Sequence, residues 1–260
     1  MLTTEVSSSG AVATDSVAGR DNPTAGDTAT ALDSVTLLSA IRFADSAFPT
    51  GGFAFSSGLE SSYLDGHVRD EDTLFGVVEE HLMFRWDTFD RVFLGRYFTS
   101  PTLGTAVWID EEIERRTSVD RLRAGSRQAG AALLGGFAHL GQGDSARYRE
   151  GVLAGNYFGH LTIAQAIAFS GAGLSLRLTE IVSAWHLING LAGAALRLGI
   201  VGHLSTQRVI AGVLPTLAAL LDTRDSSGAL GRHREVLSFS TLTDIAAARR
   251  SGSSARLFAT

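Results

Sequence analysis

From residue 33 onwards, apolar residues recur at helical spacing and almost never alternate. Asp33-Ser34 can cap a helix that runs through VTLLSAIRFADSAF. A break at FPTGG follows, and then a short helix over roughly 53–64 that stops at Asp65-Gly66. Asp70 or Asp72 starts a longer one, in which Leu74, Val78, Leu82 and Trp86 repeat at i, i+4. WDTFDRVFLGRYF continues it after a kink, and Pro101 ends it. Next come VWIDEEIERR and SVDRLRAGSRQAGAALLGGFAHLG, the latter with an acidic start. GQGDSARYREG reads as a turn and a short polar helix. The segments 157–170, 174–198 and 204–221 are apolar and rich in Ala and Gly, and a last helix is expected at 240–250. No period-2 alternation is sustained, so the pattern predicts an all-α fold, one bundle-like domain of about nine to eleven helices over 33–250.

The two ends differ from this middle. Residues 1–32 are mostly Ser, Thr, Ala, Gly and Asp, with little to bury, and read as a disordered extension. The closing SGSSARLFAT reads as a flexible tail over 251–260. In the apolar region 157–201, Gln165, Arg177, Glu180, His186 and Arg197 interrupt any membrane-length window, so a buried helix pair is the reading there. No basic start followed by an apolar core marks a signal peptide, and a cytoplasmic protein without stable membrane association is expected.

Composition narrows the chemistry. The formal charge of −5 argues against a nucleic-acid partner. The absence of cysteine removes disulfides, thiol catalysis and zinc–thiolate sites. All 22 basic residues are arginine, which removes Schiff bases and the lysine of a phosphate loop. The FPTGG break also lacks the preceding strand and the longer glycine loop of such a motif. The break therefore reads either as a plain turn with Phe53 and Phe55 in the core, or as an aromatic-rich partner contact. None of the seven histidines lies four residues from another, so neither a resident metal nor another cofactor is expected. Gly143-Asp144-Ser145-Ala146-Arg147 fails the nucleophile-elbow pattern at its last position. Asp110, Glu111, Glu112 and Glu114 alternate with arginines and read as a solvated, salt-bridged face, not a catalytic carboxylate pair. No catalytic residue is assigned, although a helical enzyme or ligand-binding bundle centred on 157–221 stays open as the alternative.

Three stretches taken together carry a family resemblance. ADSAFPTGGFAFSSGLE resembles the N-terminal signature of UreF-type urease accessory proteins. SVDRLRAGSRQAGAALL is similar to that family's arginine-bearing central helix at Arg123, Ser126, Arg127, Gly130 and Leu133. DIAAARRSGSSARLFAT is similar to its closing helix and Arg-Leu-Phe tail. There are departures. The family's Arg-Leu-x-Pro-x-Gly-Gln is here RLGIVGH, with the proline absent and His203 in place of the glutamine. Phe55 replaces a more polar aromatic or a histidine.

The resemblance implies an all-helical, non-catalytic protein that forms a homodimer. It implies binding to the accessory protein UreD (also called UreH), contact through it with apo-urease, and recruitment of the GTPase UreG. In that assembly GTP hydrolysis is coupled to nickel insertion. It places partner contacts at Phe48, Pro49, Gly51, Gly52, Phe53, Phe55, Ser56, Gly58 and Glu60. Further contacts are implied at Arg123, Arg127, His203, Gln207 and Arg249, and at Arg256, Leu257 and Phe258 of the tail. Read from the residues alone, Arg123 and Arg127 share one helix face. They either pair with Asp120 and nearby acids or meet a partner.

Overall fold

Caps and turns fix the helix ends where the sequence places polar residues. The computed structural model describes residues 33–48, 57–223 and 235–237, together with Ile245 and Ala248. Helix α1 spans Ser34–Ala44. It ends earlier than its apolar pattern because the Asp45 carboxylate accepts from Ala47 N at 2.7 Å and the Asp45 carbonyl from Phe48 N at 3.0 Å. Helix α2, Leu59–Leu64, begins at Gly58, whose φ of 86° a side chain would resist, and closes at Asp65-Gly66. Asp70 caps α3, Glu71–Glu80, in a reciprocal box: its carboxylate accepts from Thr73 N at 2.9 Å while Asp70 N donates to Thr73 Oγ1 at 3.1 Å.

The chain after α3 widens into a π-helical run, His81–Asp90, and returns to α geometry in α4, Arg91–Thr99. Arg91 N donates to Trp86 O, five residues back. The buried series Leu74, Val78, Leu82, Trp86 advances by fours, which drifts around an α-helix of 3.6 residues per turn. The wider turn absorbs that drift and keeps the series facing inward. The remaining helices are α5 Leu103–Arg116, α6 Asp120–His139, α7 Gly143–Leu153, α8 Leu161–Gly171, α9 Leu176–Arg197 and α10 His203–Asp222. Among the described residues there is no strand, so the fold is all-α, as the pattern predicts.

Two apolar clusters form the interior. One gathers Phe43, Phe93, Ile109, Leu133, Phe137, Ile163 and Phe169 with the start of α9 at Leu178 and Val182. The other gathers Leu59, Leu74, Val78, Trp86, Ile188, Leu191, Val209 and Val213. The α3–π–α4 rod and α9 each run through both. Helix α6 lies along α8 and α7, while α10 lies on α9 and α3. Of the described helices, only α10 is long and apolar enough to cross a bilayer by length and composition. One of its faces is packed in the second cluster, and its Arg208 donates to Glu71 of α3 at 2.8 and 2.6 Å.

A charge cluster joins these layers. Arg91 is fully buried. It donates to Asp87 at 2.7 Å, to Glu180 of α9 at 3.3 Å, and to the Leu220 and Leu221 carbonyls at 2.5 and 3.4 Å. A cation is thereby placed at the negative end of α10. Arg177 reinforces it, donating to Leu221 O and, at 2.8 Å, to Asp222. We expect Arg91→Ala to lower unfolding stability by about 3–5 kcal/mol, measured by denaturant titration, because two carboxylates lose their shared cation in a dry site.

Candidate partner-binding surface

Pro49, Gly51, Gly52, Phe53, Phe55 and Ser56 lie outside the described residues, but both flanks of the break are described, and a histidine lies against each. On the entry side, His186 of α9 donates from Nε2 to Phe43 O at 2.8 Å. Its Nδ1 then faces the Gln165 amide at 3.3 Å. Gln165 Oε1 accepts from Ser183 at 2.8 Å, and Ser183 Oγ accepts from Trp86 Nε1 at 3.2 Å. One polar chain thus links the rod, α8, α9 and the end of α1. On the exit side, His81 donates from Nδ1 to Val77 O at 2.8 Å while Nε2 faces Ser57 O at 3.4 Å. Ser57 has a φ of 48°, an unusual value for a serine, directly before Gly58.

Phe48 faces inward. Its ring lies 5.2 Å from both Phe43 and Phe137, and Phe169 completes the aromatic group at 5.9 Å from Phe43. The Arg42 guanidinium caps it, 5.6 Å from the Phe43 ring and 5.9 Å from the Phe48 ring. Gly58 and Glu60 are buried as well, so on the exit side the signature shapes the turn rather than the surface. Among the described residues on the entry side, the exposed apolar groups are Val35, Leu37, Leu38 and Ile41 of α1. Their exposure was not read from the sequence. Four aliphatics in seven residues, more than one buried stripe can hold, were the available signal.

The arginine-bearing helix is α6, and its motif organises a loop. Arg123 pairs with Asp120 and with Glu114 at 3.4 Å, and donates to Thr117 O at 2.7 Å. Arg127 grips the same Glu114, with Nε to Oε2 at 3.0 Å, and lies 4.7 Å from the Phe158 ring. His160 Nε2 donates to Glu114 at 2.8 Å. Ser126 Oγ accepts from Leu161 N at 3.1 Å. A Cβ on Gly130 would sit 2.1 Å from Gly159 O, so only glycine lets α6 approach this backbone. Both arginines therefore pair locally, while keeping part of their surface exposed.

Two expectations are corrected here. Residues 157–160 are not helical: α8 starts at Leu161. Asp110 is not on the solvated face. It is buried and accepts from Tyr148 Oη at 2.9 Å, Phe158 N at 2.7 Å, Gly159 N at 2.8 Å and His160 N at 2.9 Å. Those amides converge on the carboxylate through a turn at Gly159, whose φ is 76°, and so are not available to start a helix. The helix phase contained the signal, since Asp110 shares the buried face with Ala106, Ile109 and Ile113. Glu111 and Glu112 do form the expected surface pairs with Arg115, and Glu112 also with Arg116.

His203 and Gln207 are exposed, one turn apart at the start of α10. The missing proline is explained just before them. Gly199, at φ 71°, closes α9, and Ile200 N donates to Ala195 O at 3.0 Å, a bond that proline at 200 could not make. Arg249, Arg256, Leu257 and Phe258 lie outside the described residues, as does nearly all of the helix expected at 240–250. Among the described residues, no three His, Asp or Glu side chains converge to hold a metal.

Gly130→Ala should destabilise the fold by about 1–3 kcal/mol, read from a thermal or denaturant midpoint, because the intruding methyl meets main chain that cannot yield. Acid should also weaken the fold. Burial holds His81, His160 and His186 below the ordinary histidine value of 6.5, although hydrogen bonds partly oppose it. Burial pushes Glu114 up, but hydrogen bonds from Arg127 and His160 outweigh it and hold the carboxyl below 4.5. As pH falls below 6.5 the unfolded chain takes up protons that the folded histidines resist, and below 4.5 Glu114 adds to the loss. Denaturant titrations should therefore give lower stability at about pH 5.5 than at about pH 7.5.

Comparison with known proteins identifies the family. The UreF family model matches residues 68–214, more than half of the chain. The urease accessory protein UreF of Trichodesmium erythraeum is 28% identical over 191 residues, covering 72% of this chain and 82% of that protein. The UreF of Agrobacterium fabrum is 27% identical over 239 residues, covering 85% and 95%. That of Yersinia enterocolitica is 24% identical over 224 residues, covering 85% and 96%. The chain belongs to the UreF family of urease accessory proteins.

Proposed function

We propose that this protein is a cytoplasmic, non-catalytic scaffold of urease maturation. It pairs with a second copy of itself, binds the UreD/UreH-type accessory protein and through it apo-urease, and recruits the UreG-type GTPase. GTP hydrolysis in that assembly drives nickel, the cargo, into urease. The observation that carries the reading is the aliphatic face of α1, Val35, Leu37, Leu38 and Ile41, exposed before a break whose entry flank is fixed to the interior through His186 and Phe48. A face of this kind suits burial against a protein partner. The UreD-type protein is its occupant in this reading. Segment 251–260 adds a second contact through Arg256, Leu257 and Phe258, and the exposed parts of Arg123 and Arg127 a third.

The test is co-purification with UreD-type and UreG-type proteins, followed by size-exclusion chromatography with light scattering. The expected result is a stable complex that contains two copies of this chain. Ile41→Glu, deletion of 251–260, and joint replacement of Arg123 and Arg127 by Ala should each weaken it while the chain stays folded. A lone monomer that ignores both partners would overturn the proposal.

A further inference from the structure

The π-helical run is joined to a segment far away in sequence. Leu237 N donates to Thr88 O at 3.1 Å, and Thr88 Oγ1 donates back to Leu237 O at 2.7 Å. This reciprocal pair resembles one rung of an antiparallel ladder, with a helical residue as one side. Between the rung and the interior, Val236 is buried in the first apolar cluster. A carbonyl has two lone pairs, so Thr88 O can accept from Leu237 without giving up a helical bond.

The hydroxyl has a second acceptor. Thr88 Oγ1 also lies 2.8 Å from Phe84 O, one turn back on its own helix. It has one proton, so it serves one carbonyl at a time. When residues 235–237 leave, the hydroxyl can turn to Phe84 and is not orphaned, so undocking leaves no unmade side-chain bond. A contact with two such arrangements is cheap to open and close.

We infer that Thr88 and Val236 form a releasable clip, which fixes the chain at 235–237 beside the rod and sets where the C-terminal segment departs. Clipped, residues 235–237 meet a partner from a fixed place, at a smaller entropic cost than a free segment would carry. The role assigned to the clip rests on the reading that the C-terminal segment docks a UreD-type protein.

The experiment uses the full chain. Amide hydrogen exchange is compared for the native protein and for Thr88→Ala, Thr88→Ser and Val236→Ser, and affinity for a UreD-type protein is measured on the same samples. Thr88→Ala and Val236→Ser should speed exchange in the peptide spanning 234–240 about fivefold, the loss expected for one modest interaction, with a similar loss of affinity. Thr88→Ser keeps the hydroxyl and should behave as native. Unchanged exchange at 234–240 in Thr88→Ala and Val236→Ser would show that no clip exists. Faster exchange with unaltered affinity, where deleting 251–260 does abolish binding, would overturn the role given to the clip. If that deletion too leaves affinity unaltered, tail docking itself is wrong and the clip's role falls with it.

Discussion

The guanidinium of Arg91 is the constraint around which the helices are arranged. Arginine keeps its charge inside a protein, so burying it completely obliges acceptors to come to it. They come from three helical elements: Asp87 from the π run, Glu180 from α9, and the last carbonyls of α10. Satisfying one cation therefore fixes the rod, the long central helix and the C-terminal end of α10 relative to one another. Two of these elements, the rod and α9, run through both apolar clusters, and α10 closes the second. Hydrophobic burial drives each cluster but is not directional; the charge cluster supplies the direction.

A second anchor does the same for the other half. Asp110 collects three consecutive main-chain amides and a tyrosine hydroxyl, which fixes the turn at 158–160 between α7 and α8. Helix α6 then fits against that backbone through Gly130 and Ser126, and its arginines close over Glu114. The residues that carry the family resemblance on α6 are thus largely the means by which three helices and a loop are assembled. Their exposed surface is a by-product of that packing and is available for contacts.

The break after α1 follows the same logic. Phe48 is drawn into an aromatic group with Phe43, Phe137 and Phe169, and His186 holds the carbonyl of Phe43. The entry to the turn is thereby pinned by α9 and the aromatic group, while buried His81 of the rod lies against Ser57 on the exit side. Helix α1 packs one side, through Ala40 and Phe43, and leaves its aliphatic side uncovered. An interior this firmly tied to one edge, next to a bare apolar helix face, fits a protein that acts by contact.

Much of this was written in local sequence. Helical spacing, caps such as Asp70, and terminators such as Gly66 and Pro101 determine most helices within a few residues, since they depend on neighbours along the chain. The family signature was legible for the same reason: its residues serve tight turns and close approaches, and these demand particular side chains. What local sequence could not decide came from partners far along the chain. Asp110 resembles its solvated neighbours until Tyr148 and the 158–160 amides reach it. The start of the segment at 157 looks helical until those amides are taken by the carboxylate. The π run needs the packing of the Leu74–Trp86 series on α9 and α10, and the aliphatic face of α1 is recognisable only once the rest of the core is seen to close without it. In each case a distant group outbids the local preference, because an unmet charge or amide in a dry interior costs more than a turn of helix.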